Sequence, residues 1–283
     1  MKISIIVATY NNLNFLKFFL LSLKKNSKYS HEVILHINDG SDGTLQYASE
    51  NNIPYTHSPK NIGLCSSVNK AALLATTEYI LYSHDDMFFC KNWDIYLEKE
   101  VNKYSDNLFY LTGTNISKDN GLINFDCGSV PDNFDEDKFN TFCDKDLSLD
   151  LQGSHWAPHL IHKDLWHKVG GFSNEFNPGD GSDPDLCMKL WNENVRLFKT
   201  ISKFKVYHFS SVTTRKKNIL LNNGTKTFIL KYGFNPRFFR KFYLKGDCLN
   251  IFNGKLENPK ITLKMLFYLF INKLKYFYFL FTR

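Results

Sequence analysis

Two hydrophobic periods alternate along the first hundred residues, and this alternation limits the fold more than any other property of the chain. Residues 3–9, 31–38, 53–57 and 78–84 form short β-rich runs, while residues 13–25 and 63–75 repeat apolar side chains at helical spacing. Strands joined through helices need right-handed crossovers, so the pattern predicts an α/β protein with a mainly parallel, Rossmann-like sheet flanked by helices. Ligands of such sheets bind outside the carboxyl ends of the strands. Three polar turns fall at those ends, Tyr10-Asn11-Asn12, Asp39-Gly40-Ser41-Asp42-Gly43 and His84-Asp85-Asp86, which predicts that they share one site.

At 283 residues the chain can bury one large core, or a core domain and an appendage. Hydrophobic residues at 43% against 22% charged exclude wholesale disorder. The six cysteines, Cys65, Cys90, Cys127, Cys143, Cys187 and Cys248, show no CxxC spacing, and the opening MKISIIVATY is too short and strand-like for a secretory signal. Together they argue against a zinc ribbon and against export, and predict a reducing, cytoplasmic setting. The net charge of +7 conceals an asymmetry. Residues 215–283 hold 15 Lys or Arg against two acids, Asp247 and Glu257, a balance of +13 that leaves residues 1–214 at −6. A basic tail rich in Phe and Tyr suits anionic lipid headgroups or nucleic acid.

Beyond the alternating region, residues 113–150 are polar, carry the acids Asp132, Asp135, Glu136 and Asp137, and read as an irregular excursion. Helices are expected at 163–169 and 185–194 and a last strand at 205–209. Period two places residues 84 and 86 on one side of an extended chain leaving the sheet. An imidazole and a carboxylate there can hold a divalent cation, the usual means of neutralising a diphosphate. A second acidic cluster, Asp183-Pro184-Asp185, lies about a hundred residues on.

Taken in order, these pieces resemble a family-2 glycosyltransferase of the GT-A fold, the inverting, nucleotide-sugar-dependent type. The matching segments are Ser4-Ile5-Ile6-Val7-Ala8-Thr9-Tyr10-Asn11, Asn38-Asp39-Gly40-Ser41-Asp42-Gly43-Thr44, Asn61-Ile62-Gly63 with Asn69, and His84-Asp85-Asp86. Trp93, Gly170-Gly171-Phe172, Asp183-Pro184-Asp185-Leu186 and Tyr207-His208 complete the set. The resemblance covers residues 1–235 and leaves 236–283 as a basic, aromatic helical tail.

It implies a UDP-sugar donor, bound by Thr9, Tyr10, Asn11, Asp39, Asn61, Gly63, Asn69, His84 and Asp85, with Asp39 accepting from the uracil imide. It implies a metal on Asp86 and His208, and a histidine ligand tilts the choice from magnesium toward manganese. His84 stands where the family's acidic motif has its first Asp, so residue 84 touches ribose, the metal or neither. Asp183 matches the family's general base, with Ser182 replacing the usual Glu before it. Asp185 serves either as a helix cap or as a substrate contact. Residues 153–162 are the expected wall for acceptor and donor sugar, where Trp156 offers an apolar face and His155 and His159 offer hydrogen bonds.

The implied acceptor is a hydroxyl of a glycan or lipid-linked glycan, such as a cell-envelope polysaccharide, and no nucleic-acid partner is expected. In the tail, Lys260, Lys264 and Lys275 share one sector of a helical wheel and Lys273 breaks the pattern. Its internal lysines leave no uncharged stretch of about 18 residues, so an amphipathic helix lying on a membrane surface or docked on the enzyme is expected in place of a spanning one. Two other functions remain to be weighed. A nucleotidyltransferase needs a glycine- and basic-rich phosphate loop that Thr9-Tyr10-Asn11-Asn12 lacks, and a catalytically silent sugar-nucleotide or glycan-binding module would bind a donor without releasing nucleoside diphosphate.

Overall fold

The computed structural model describes residues 1–210, 222–246 and 250–282. Arg215, Lys216, Lys217, Asp247, Cys248 and Arg283, part of the tail's charge and cysteine count, lie outside the described residues. The alternating region folds as its periods require. Strands β1 (Ser4–Tyr10), β2 (Glu32–Asn38), β3 (Tyr55–Ser58) and β4 (Tyr79–His84) are connected by helices α1 (Leu13–Asn26), α2 (Thr44–Glu50) and α3 (Leu64–Ala72). They pair in parallel in the order β3-β2-β1-β4. Ile5, Ile6 and Val7 of β1 are fully buried, as a central parallel strand covered on both faces should be. Phe15, Leu16, Phe19 and Leu23 of α1 are buried too, each such side chain contributing about 1.5–3 kcal/mol.

The far half of the sheet is mixed. After β5 (Met87–Phe89) and α4 (Trp93–Val101) come β6 (Phe109–Ser117) and β7 (Ile123–Asn124). Helix α5 (Glu136–Lys145), β8 (Leu151–Gln152), β9 (His159–His162), α6 (Lys163–Lys168), α7 (Ser182–Asn192) and β10 (Leu197–His208) follow. The main order is β3-β2-β1-β4-β9-β6-β10-β5, with β7 paired to β6 and β8 to β10. Strand β9 runs antiparallel between β4 and β6, β10 is parallel to β6, and β5 is antiparallel to β10.

Two expectations change here. Residues 113–150 contain the end of β6 and all of α5. The acidic run that read as irregular is the start of that helix, because Asp135 caps it through the Lys138 N–H at 2.9 Å and Glu136 and Asp137 occupy its first turn. The last strand begins eight residues before the expected 205, at Leu197. Lys199 and Lys205 of this strand are both buried. Lys199 lies 2.7 Å from both Glu100 and Asp150, and Lys205 is 3.1 Å from Asp146; an interior lysine persists when paired in this way.

On either side of the expected boundary at 235/236 the chain packs together. Asn235 caps the short helix Pro236–Phe239 by accepting the Phe238 N–H at 2.7 Å, and donates its own N–H to Asn272 Oδ1 at 2.9 Å. Phe238, Phe239 and Leu244 are buried, with the Phe239 and Tyr243 rings 6.4 and 5.3 Å from Trp191 of α7. Gly153 has φ 76°, and a Cβ there would lie 2.2 Å from the Leu244 carbonyl oxygen, so glycine is required where the tail crosses. The C-terminal helix Leu263–Phe281 buries only Met265 and Asn272. Among the described residues no helix is long and apolar enough to cross a membrane.

Candidate active site

The three polar turns meet at one edge of the sheet, outside the carboxyl ends of β1, β2 and β4. Asn11 and Asp39 both take left-handed backbone, φ 45° and 63°, a conformation that costs a non-glycine residue about 1–3 kcal/mol and persists only where surrounding bonds enforce it. Here they do. Asn11 Nδ2 donates to Asp39 Oδ2 at 2.8 Å and to Ser41 Oγ at 3.2 Å, and Asn11 Oδ1 accepts the Gly40 N–H at 2.9 Å. Asp39 is thereby held half-exposed at the mouth of a laced pair of loops. Tyr10 is half-buried beside Asn11, and Thr9 is buried with its hydroxyl on the Asp85 side.

After β3, exposed Asn61 accepts the Gly63 N–H at 2.9 Å. Gly63 has φ 83°, and a Cβ would fall 2.4 Å from Asn177 Oδ1, which caps α3 through the Cys65 N–H at 3.0 Å. Asn69 faces elsewhere. Its amide donates to the Phe172 carbonyl at 2.7 Å and accepts the Phe172 N–H at 2.9 Å, fastening the Gly170-Gly171-Phe172 turn.

His84, Asp86 and His208 each offer a ligand atom, and these atoms lie within 4.8 Å of one another. Register brings them together. Antiparallel pairing of β10 with β5 sets His208 opposite Met87, and the Phe209 N–H donates to the Asp86 carbonyl at 3.1 Å. His208 Nε2 sits 3.1 Å from Asp86 Oδ1 and 3.3 Å from His84 Nδ1. Burial, then the neighbouring His208, pushes His84 down to about 4, so its imidazole is neutral and keeps a lone pair for a ligand. Burial opposes ionisation of Asp86, but His208 and His84 outweigh it and hold the carboxyl below its ordinary value. Asp85 beside it goes the other way, to about 7, through burial and the Asp86 charge. A neutral imidazole, a carboxylate and a second imidazole converging at this spacing fit a divalent cation. Sequence reasoning missed Asn115, whose amide lies 3.2 Å from His208 Nδ1 and orients that ring; the β-rich run before it was the available signal.

The two acids of α7 have opposite surroundings. Asp185 is fully buried and satisfied, with Ser173 Oγ at 2.6 Å, Tyr232 Oη at 2.7 Å and Lys231 Nζ at 2.8 Å. It ties α7 to the helix Gly224–Tyr232 and faces away from the cavity. Asp183 is half-buried at a cavity rim, yet its Oδ1 is enclosed and has no hydrogen-bond partner. Burial pushes its carboxyl up to about 7, the value a general base needs near neutrality. Tyr82 connects the two groups: its ring is 5.4 Å from His84, and its hydroxyl feels the charges of Asp183, Asp86 and Asp85.

The cavity at Asp183 holds about 450 Å3 and is lined by His155 and Trp156 from the 153–162 segment. Trp156 donates to the Gly113 carbonyl at 3.2 Å, which fixes its indole. Burial pushes His155 down to about 4, the Gly153 carbonyl opposing and the Arg240 charge adding to it. His159, expected on the same wall, is fully buried in β9, with Tyr110 Oη 2.9 Å from Nδ1; as the middle of three paired strands it points into the core. The opposite wall comes from the tail, through Pro236, Arg237, Phe239 and Arg240. Sequence reasoning did not place these residues at the site, because their contact with α7 is long-range.

The family described as Glycosyl transferase family 2 matches residues 4–155. No curated protein matches the chain. Among solved structures, S. aureus TarS 1–349 is similar with a TM-score of 0.54 and 18% identity, covering 75% of this chain and 61% of that one. The same protein in complex with UDP gives 0.55 and 16%, over 73% and 60%. GalNAc-T7 with UDP, GalNAc and Mn2+ gives 0.58 and 14%, over 81% and 47%. The chain thus spans less than two thirds of each of these structures. At such identities the likeness establishes the fold, which is GT-A as expected.

Proposed function

Since the chain belongs to glycosyl transferase family 2, we propose that it moves a sugar from a UDP-sugar to a hydroxyl of a glycan or lipid-linked acceptor, inverting the anomeric centre in one displacement. The observation that carries this reading is the Asp183 carboxyl, whose enclosed Oδ1 has no hydrogen-bond partner and which lines a cavity, in a site that also holds the His84, Asp86 and His208 cluster. Asp39 accepts from the uracil imide, and the laced loops of Asn11 and Asp39 hold the nucleoside. Asp183 takes the proton of the acceptor hydroxyl as its oxygen bonds to the anomeric carbon and the bond to the diphosphate oxygen breaks. His84, Asp86 and His208 would hold a divalent cation, which would supply positive charge against a departing diphosphate. Two imidazole ligands favour manganese over magnesium, and the similar GalNAc-T7 structure contains UDP and Mn2+. A silent binding module would have no use for a base raised toward neutrality at the cavity.

The test is a thermal-shift series with UDP, GDP and CDP, with and without Mn2+, on the full chain and on Asp86→Ala. UDP should stabilise the unmodified chain most, only with the ion, and by mass action. Equal shifts for the three nucleotides, unchanged by chelator, would remove both the uracil and the cation assignments.

The acceptor reading extends to the C-terminal helix. Phe267 and Phe270 are each 61% exposed, and Leu263, Leu274, Phe277 and Phe281 continue the same face. Buried Met265 and Asn272 lie on the opposite face, docked toward the helix Gly224–Tyr232. At roughly 100° per residue, Lys264 and Lys275 flank one side of the apolar face and Lys273 the other, so the lysine that broke the sequence pattern completes a second flank. This arrangement supports in-plane association with an anionic membrane on its cytoplasmic side.

A further inference from the structure

Away from the candidate active site, two cysteines are in contact. Cys90 follows β5 directly and is buried; Cys143 stands in the last turn of α5 and is half-buried. Their thiols are hydrogen-bonded to each other, and both line a cavity of about 90 Å3 whose lining includes Lys91, Asp144 and Lys203. The Cys90 sulfur accepts the Lys205 N–H at 3.3 Å, and as a thiol it donates to the Lys203 carbonyl at 3.6 Å. The bond from Cys143, helped by the N–H and ammonium of Lys205, outweighs burial and holds the Cys90 thiol below its ordinary value. The Lys205 ammonium is itself 3.1 Å from Asp146, and the Asp144 charge acts on Cys143, so the two hydrogen bonds to sulfur, and not a free cation, favour the thiolate. Thiolate character is what makes a cysteine nucleophilic. Cys65, Cys127 and Cys187 are raised instead, chiefly by burial.

We propose that Cys90 and Cys143 are a peroxide-responsive pair that closes to a disulfide. The Cys90 sulfur attacks one oxygen of hydrogen peroxide and the O–O bond breaks. Cys90 becomes a sulfenic acid, and the other oxygen leaves as water after taking up a proton. The Cys143 sulfur then bonds to the Cys90 sulfur, and its proton leaves with the sulfenic oxygen as a second water. The two thiols lose two electrons in all, and peroxide is reduced to two waters. The cavity selects the oxidant. Liquid water takes about 30 Å3 per molecule, so a space of about 90 Å3 admits a peroxide and excludes a bulky disulfide such as oxidised glutathione. The bridge would also fasten α5 to the β5–β10 ladder, which Asp86 and His208 flank at its other end. The Cys90 N–H donates to the Lys205 carbonyl at 3.0 Å, and Phe139 of α5 already packs 5.9 Å from Phe88 and 6.0 Å from Tyr207 on that ladder. Closing the long loop between the two cysteines restricts the unfolded chain, so the oxidised protein should resist denaturant better.

The test treats the full chain, reduced and freed of reductant, with hydrogen peroxide, then alkylates the remaining thiols and digests with trypsin. Mass spectrometry should find the peptide of residues 71–91 joined by a disulfide to that of residues 139–145. The link should form on the order of tenfold faster than oxidation at any other cysteine, and the preference should vanish when the chain is first unfolded in urea. Oxidised glutathione should form it far more slowly. In Cys143→Ser, Cys90 should stop at the sulfenic acid, which dimedone traps. The urea midpoint of the unmodified chain should rise on oxidation and return with dithiothreitol. Recovery of Cys90 and Cys143 as alkylated thiols while another cysteine oxidises, or a link formed equally fast in urea, overturns the inference. An equal rate with oxidised glutathione overturns the choice of oxidant, and a midpoint lowered by the link overturns the clamp. The peroxide measurement needs no variant, so a Cys143→Ser chain that folds poorly does not prevent a decision.

Discussion

Replacing Asp183 by Asn should make the protein more stable and less active at once, and the size of the first effect follows from the site. The carboxyl is raised from its ordinary 3.8 to about 7 by burial. Each pKa unit corresponds to about 1.36 kcal/mol, so ionised Asp183 costs at most about 4 kcal/mol of folding stability. The adjoining cavity admits water, and the replacement amide is itself left without partners, which together reduce the expected gain to about 1–3 kcal/mol. The sign is set by linkage. Because the folded value lies above the unfolded one, the folded state holds the proton longer, and the wild type loses stability as pH rises from about 4 through about 7. The advantage of Asp183→Asn should therefore be absent near pH 4, grow across that interval and level off above it. Urea denaturation of both proteins without nucleotide, at pH 5 and pH 8, measures the difference. Turnover should fall by a factor on the order of 10² to 10⁴ with UDP affinity retained. A stability gap that does not change with pH, or a variant less stable at pH 8, would refute the claim that Asp183 is an unpaired buried acid.

The same carboxyl should set the pH dependence of the proposed reaction. The groups around it, Tyr82, Tyr110, Cys65 and Cys187, are all pushed upward, chiefly by burial, with its charge adding to the shift, so they stay neutral and the rate of UDP release should rise with pH through about 7; a flat profile from about pH 6 to 8 would exclude Asp183 as base. Asp185→Asn should behave in the opposite way to Asp183→Asn, losing about 2–4 kcal/mol in denaturant titration because Lys231, Tyr232 and Ser173 lose a buried carboxylate partner. Co-sedimentation of the full chain with anionic liposomes should fall but persist in high salt, since salt screens the lysines and not the aromatics. The pair Phe267→Ser and Phe270→Ser should abolish it there, and equal sedimentation of this variant would show that the exposed face is not the contact.

The meeting of the three polar turns at one sheet edge was legible because each turn is local in sequence and its place follows from periodicity. Once β1, β2 and β4 are parallel neighbours, Asn11, Asp39 and His84 must emerge on one edge of the sheet. His84-Asp85-Asp86 was readable for the same reason, as a polar turn closing a strand run, whereas Asp183 was singled out by the family resemblance. What residue types could not decide was which of two similar groups faces the ligand. Asp183 and Asp185 differ only by their angle around α7, and that angle is set by Tyr232 and Lys231, some fifty residues later, which capture one and leave the other. Likewise, His155 reaches the cavity while His159, four residues on, is sealed between strands. Long-range packing alone brought Arg237 to the cavity that Asp183 borders, buried Lys199 and Lys205 within ion pairs, and turned the aromatic face of the last helix outward. Each of these outcomes depends on partners distant in sequence, and no local period encodes them.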